Sequence, residues 1–146
     1  MTSDESDRSA ALGRVLEEII EVNRVIAGPR VTPFAGVELS RSHVEALFLI
    51  AHRNIVTPGA LATAMRITAG AVTQLITKLR EAELVTATPS PTDSRSIILA
   101  LSGSARRELA EFEARAVQHA RPHFTSLTTS DLDRLAALLR SVTDRS

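Results

Sequence analysis

The chain has 146 residues, enough for one compact domain with its own core and too few for two. Seventeen Lys and Arg balance 17 Asp and Glu, and a formal net charge of zero does not advertise a polyanionic partner. Cysteine is absent, which excludes disulfides, thiolate metal ligands and thiol oxidation as a switch. No apolar run approaches the roughly 20 residues that span a bilayer, and the acidic start from Thr2 to Asp7 is no signal peptide, so a cytoplasmic protein without a membrane partner is expected.

After a frayed start, Leu12, Val15, Leu16, Ile19, Ile20, Asn23 and Ile26 predict a long amphipathic helix from about Ser9 to Ala27, ended by Gly28-Pro29. Residues 30–37, with Pro33 and Gly36, read as a loop. Ser40 caps a second helix in which Val44, Leu47, Phe48 and Ala51 are expected to face inward, and Arg53-Asn54 closes it. Thr57 caps a third helix with Pro58 in its first turn, and Leu61, Ala64 and Met65 form its apolar side. Thr68 caps a fourth. There Val72, Leu75, Ile76 and Leu79 repeat at i, i+3, i+4 and i+7, which predicts a buried face. The opposite face carries Ala69, Gly70, Thr73, Gln74, Thr77 and Lys78, small or polar throughout. Such a helix can lie in a DNA major groove, but the same pattern also suits a solvated helix of any all-α domain.

The next segment distinguishes these readings. Val85–Thr88 and Ser96–Leu101 are β-prone runs on either side of the polar, Pro-rich tip Pro89–Arg95, which predicts a hairpin. Helix, turn, helix and hairpin in that order make a winged helix-turn-helix. Beyond it, Ser102-Gly103-Ser104 opens a long helix with Ala105, Leu109, Phe112 and Ala116 on one face, which stops before Pro122. A connector at Ser126–Asp131 leads to a last helix carrying Leu132, Leu135, Ala136, Leu138, Leu139 and Val142. The first and last helices have wider apolar faces than a small winged domain can cover, which makes them candidates for an intermolecular core.

The segment from Leu39 to about Leu109 resembles the multiple antibiotic resistance regulator (MarR) family of bacterial transcription factors. The resemblance rests on Thr57-Pro58-Gly59-Ala60-Leu61-Ala62, on Gly70-Ala71-Val72-Thr73 with Leu75 and Leu79, and on Leu84-Val85. Pro89, Pro91, the pair Asp93 and Arg95, and Leu99, Leu101, Ser102 and Gly103 continue it. It implies a mainly α fold with a two-stranded β wing, flanked by N- and C-terminal dimerisation helices. The expected organisation is one compact domain, divided into a dimerisation helix and loop (1–37), the winged helix-turn-helix (38–102) and dimerisation helices (103–146).

The function so implied is sequence-specific binding of double-stranded DNA at an inverted repeat by a homodimeric repressor, released by a small aromatic or anionic effector. Thr68, Ala69, Gly70, Thr73, Gln74, Thr77 and Lys78 would line the recognition helix, and Asp93 would orient Arg95 at the wing tip. The effector crevice would use His43, Phe48, Phe112 and Arg115. The chain departs from the family pattern where basic residues are common, at Ala69, Gln74 and Thr86-Ala87-Thr88, and where Gly often follows the recognition helix, at Glu83. Between Glu38 and Ser102 basic residues exceed acidic ones by only one. These features keep a second reading open, a winged scaffold used for protein contact.

An enzyme is not expected. The six Gly are scattered rather than gathered in a phosphate loop, and no Gly-x-Ser-x-Gly elbow occurs. His119 and His123 have the i, i+4 spacing of two metal ligands, but Pro122 lies between them and no cofactor or metal is expected.

Overall fold

A computed structural model of the protein describes residues 2–27, 34 and 36–144. The elements are α1 (Ser3–Ile26), α2 (Arg41–His52), α3 (Pro58–Met65), α4 (Ala69–Glu81), β1 (Val85–Pro89), β2 (Ile97–Leu101), α5 (Gly103–Ala120), a 3-10 turn (Arg121–Phe124) and α6 (Thr129–Thr143). Among the described residues, no helix is long and apolar enough to cross a membrane.

Helix α1 begins six residues before the predicted start. The Thr2 hydroxyl accepts from the Glu5 N–H at 3.4 Å, and Asp4 and Glu5 sit where the helix dipole favours negative charge. The acidic start is therefore a helix terminus rather than a frayed tail. The predicted stop at Gly28-Pro29 and most of the 30–37 loop lie outside the described residues. At the other end Pro122 does end the α-helix, but the chain continues as a 3-10 turn, in which Pro is tolerated near the start. Thr128 and Asp131 then close a reciprocal capping box at the start of α6.

The core occupies residues 34–109. Leu47, Leu61, Leu79 and Leu99 are fully enclosed, and Val72, Leu75, Ile76, Leu84, Val85, Leu101, Ala105 and Leu109 surround them. Helices α2, α3 and α4 and the hairpin thus share one cluster. Strands β1 and β2 pair antiparallel, Val85 opposite Leu101 and Pro89 opposite Ile97. The hairpin base is tied back twice: the Leu99 N–H donates to the Val56 carbonyl at 2.7 Å, and the Ser102 N–H to the Leu84 carbonyl at 2.9 Å.

Three inward positions differ from expectation. In α2 the buried side is Ala46, Leu47 and Ile50, while Val44 and Ala51 are half-buried and Phe48 is 42 % exposed. The helix is rotated so that small Ala46 meets the core and the large ring stays outside. Ala64 in α3 is exposed, and Ala62 packs inward instead. Phe34, from the segment read as loop, is 2 % exposed and belongs to the core, its backbone at φ 68 turning the ring inward.

The described residues form two compact units. One compact unit is formed within residues 32–114, and a second from those of 1–31 together with 115–144, so the boundary falls inside α5. Among its described residues the second unit encloses no side chain. Neither α1 nor α6 contains a buried residue, and Leu12 (58 %), Ile20 (69 %) and Val142 (73 %) are largely exposed.

Two local devices generate predictions. After α4 the Leu84 N–H reaches the Leu79 carbonyl and the Glu83 N–H the Arg80 carbonyl, both at 2.9 Å, a Schellman ending with Glu83 at φ 58. A side chain there is strained by about 1 kcal/mol. Glu83→Gly should stabilise the fold by about that amount, read as a higher midpoint in urea; an unchanged or lower midpoint would refute the strain.

At the start of α2 the Ser40 N–H donates to His43 Nδ1 at 3.1 Å, so this ring must be unprotonated at Nδ1 to complete the cap. Burial, and secondarily the charge of Lys78, hold the His43 pKa below its usual 6.5. The unfolded chain then takes up the proton first. The stability from this site is complete above pH 6.5 and is lost as pH falls through the lower folded value. His43→Gln keeps an acceptor at the same place in the cap and cannot titrate. Thermal melts from about pH 7.5 to about 5.5 should show a shallower acid loss for His43→Gln than for the parent, and equal slopes would exclude His43 as the cause.

Candidate nucleic-acid interface

Helix α4 is set by its two ends and its back. The Thr68 hydroxyl accepts from the Ala71 N–H at 3.1 Å, so the helix begins at Ala69 with its first donors partly satisfied. The turn before it is another Schellman ending: Arg66 is left-handed at φ 55, with the Ile67 N–H on the Ala62 carbonyl at 3.1 Å. This reversal fixes the angle between α3 and α4. Val72, Leu75, Ile76 and Leu79 are all buried, as their spacing predicts.

The opposite face is open. Ala69, Gly70, Thr73, Gln74, Thr77 and Lys78 are all exposed, as is the cap Thr68. Thr73 and Thr77 turn their hydroxyls back along the helix, Thr73 Oγ1 donating to the Ala69 carbonyl at 3.0 Å and Thr77 Oγ1 to the Thr73 carbonyl at 2.8 Å. A Cβ built at Gly70 meets no atom within 4 Å, so nothing inside the protein requires glycine there.

The wing belongs to the same unit. At its tip Asp93 does not hold the Arg95 guanidinium. Its Oδ1 accepts from the Arg95 backbone N–H at 3.0 Å and its Oδ2 from the Ser96 hydroxyl at 3.0 Å, while its carbonyl accepts from the Ser96 N–H at 3.0 Å. The expected orientation of Arg95 by Asp93 is therefore an effect on the backbone, an Asx turn that fixes where the exposed Arg95 side chain starts. Ser90 and Thr92 stiffen the other side of the tip, the Thr92 N–H donating to Ser90 Oγ at 3.3 Å.

The four residues expected around an effector have varied surroundings. His43 completes the α2 cap, and Phe112 packs against the core of the winged unit. The exposed ring of Phe48 packs on that of His52, centroids 5.0 Å apart, and His52 Nε2 lies 2.5 Å from Glu113 Oε1. This link from α2 to α5 joins residues 61 apart, and no sequence signal announces it. Arg115 belongs to the other compact unit. Among the described residues no group of three or more His, Asp or Glu is placed to hold a metal, and the His119 and His123 rings lie 6.4 Å apart, tilted at 59°.

A helix with one buried and one open face, set in one unit with a β-hairpin, is an arrangement shared with known folds. The model of the MarR family matches residues 37–96, from the approach to α2 to the tip of the hairpin, and ends just before β2. No curated protein matches the chain by sequence. Similar solved structures include a MepR variant from a multidrug-resistant S. aureus clinical isolate, 15 % identical with a TM-score of 0.64, the match covering 99 % of this chain and 96 % of that one. RV1404 from Mycobacterium tuberculosis is 17 % identical with a TM-score of 0.62, over 99 % of this chain and 94 % of that one. The transcriptional regulator Tm0710 from Thermotoga maritima is 18 % identical with a TM-score of 0.59, over 92 % and 93 %. At such identities the likeness is one of fold, and it extends beyond the matched segment to the flanking helices. The segment 37–96 thus matches the MarR family, and the chain as a whole shares the fold of these solved structures.

Proposed function

We propose that the protein is a cytoplasmic homodimeric repressor that binds an inverted-repeat site in double-stranded DNA and is released by a small aromatic or anionic effector. The observation that carries the DNA reading is α4, whose apolar face is wholly buried and whose other face is exposed and small or polar throughout. In this reading α4 enters the major groove. Gln74 reads a base edge with Thr73 and Thr77 beside it, Lys78 and Thr68 meet phosphates, and Ala69 and Gly70 allow close approach. Arg95, set by the Asp93 turn, enters the adjacent minor groove. The exposed Phe48 ring offers an aromatic effector a packing surface on the winged unit.

The dimer is supported by the second unit, which carries Leu12, Leu16, Ile20, Leu135, Leu138 and Val142 exposed and no buried side chain on α1 or α6. Faces of this kind are covered in a stable protein. Replacing Leu135 and Leu139 by Asp puts charge into that interface at several kcal/mol per group. Sedimentation should then show monomer or unfolded chain, and an undisturbed dimer would rule out this interface.

Two recognition helices related by a dimer axis sit about 34 Å apart, one turn of DNA. Anisotropy titrations against a selected duplex and a scrambled one, at several salt concentrations, test the reading. Gln74→Ala should cost about 1–3 kcal/mol on the selected site and relax the choice at one base pair per half-site. Lys78→Ala should weaken all duplexes alike and reduce the salt slope by about one for each phosphate it no longer neutralises. Gly70→Ala should stabilise the free protein by about 0.5 kcal/mol yet weaken DNA binding, because the added methyl is harmless only until a groove closes over it. A parent with no preference between the duplexes would leave the winged scaffold as a protein-contact module.

A further inference from the structure

Thr73 and Thr77 stand on the exposed face of α4, but neither is a free hydroxyl. A threonine hydroxyl has one proton to donate. In Thr73 that proton goes to the Ala69 carbonyl at 3.0 Å, and in Thr77 to the Thr73 carbonyl at 2.8 Å. What each side chain retains for a partner is an oxygen lone pair and a γ-methyl group. Donating to a base would require breaking the bond to the helix and rotating χ1.

This narrows what the two residues can read. Guanine presents only acceptors in the major groove, N7 and O6, and needs a donor opposite. Thymine alone presents a methyl group there, which packs against an apolar group without any donor. Resting on the reading of α4 as the helix in the groove, we propose that Thr73 and Thr77 are specificity-determining residues that select thymine through their γ-methyl groups, their hydroxyls serving the helix. Donation to a base edge on this face then falls to Gln74, which is exposed between them in sequence and has both a donor and an acceptor.

The assignment is tested on the selected duplex by replacing its thymines, one at a time, with deoxyuridine, which lacks the 5-methyl group and keeps every hydrogen-bonding atom. The parent should lose about fourfold in affinity at one or two thymines per half-site, the effect of one buried methyl group. Thr73→Val keeps a γ-methyl and removes the hydroxyl. It should bind the thymine duplex within about twofold of the parent and still weaken on deoxyuridine. Thr73→Ser removes the methyl, and should bind the thymine duplex about fourfold more weakly while becoming indifferent to deoxyuridine at that base. Thr77 should respond in the same way at a different thymine. Both positions are exposed, so equal thermal midpoints of the variants check that folding is unchanged.

A serine variant that binds like the parent, or a valine variant that loses about tenfold with no response to deoxyuridine, would overturn the proposal by making the hydroxyl the reading group. A parent that prefers the selected duplex yet ignores every deoxyuridine would overturn the methyl assignment alone. A parent that binds selected and scrambled duplexes equally would overturn both this assignment and the groove reading beneath it.

Discussion

The burial of one face of α4 is the constraint on which the rest depends. Leu79 and Val72 sit in the same cluster as Leu47 of α2, Leu61 of α3 and Leu99 of β2. A side chain enclosed to this degree contributes about 1.5–3 kcal/mol relative to exposure, so α4 cannot roll about its axis without losing several such terms together. Its outer face is fixed as a consequence. The same cluster seats the hairpin, whose Leu99 is locked by packing and by its N–H on the Val56 carbonyl, just before the cap of α3. The exposed face of α4 and the wing are thus set by one core, and the left-handed residues Arg66 and Glu83 set the angles at which the chain enters and leaves α4.

The second unit obeys the opposite logic. Helix α1 runs 24 residues and α6 runs 15, yet neither encloses a side chain. Isolated helices of this length in water gain too little from their own hydrogen bonds to be secure, and most helical stability in proteins comes from packing an apolar face. Their good capping, by Thr2 and by the Thr128–Asp131 box, contributes about 1 kcal/mol each and does not replace a core. In the dimer proposed above a second copy of the chain would cover these faces, and the stability of this unit would then depend on protein concentration.

Most of the winged unit is legible in the sequence because its signals are local and redundant. The buried set Val72, Leu75, Ile76 and Leu79 follows from helical spacing alone, the Thr57 and Thr68 caps from residue type and position, and the hairpin from two β-prone runs around prolines. Sequence reasoning fails where the outcome depends on distant partners. Phe48 satisfies an inward spacing, but an alanine, Ala46, fills the adjoining side of the helix and leaves the ring to pair with His52. Phe34 has no periodic neighbours to mark it, and the pairing of His52 with Glu113 crosses 61 residues. Charge suggests Asp93 as a partner for a guanidinium, whereas its separation of two residues from Arg95 favours the backbone N–H of an Asx turn. The extent of α1 escapes a sequence reading because the acidic start resembles a solvated tail and differs from one only by the Thr2 cap.

The charge balance bears on how such a protein would discriminate among DNA sequences. Binding without sequence preference is almost wholly electrostatic, and it scales with the phosphates neutralised. Between Glu38 and Ser102 basic residues exceed acidic ones by one, so the winged unit has little with which to hold arbitrary DNA. Interactions with base edges and methyl groups carry no such dependence on net charge. A near-neutral reader therefore loses more of its non-specific affinity than of its specific affinity relative to a basic one. On the function proposed here, a recognition face whose one charged member is Lys78 and the single arginine of the wing tip serve selectivity: they lower the occupancy of the many competing sites and leave the site to be chosen by shape and base chemistry.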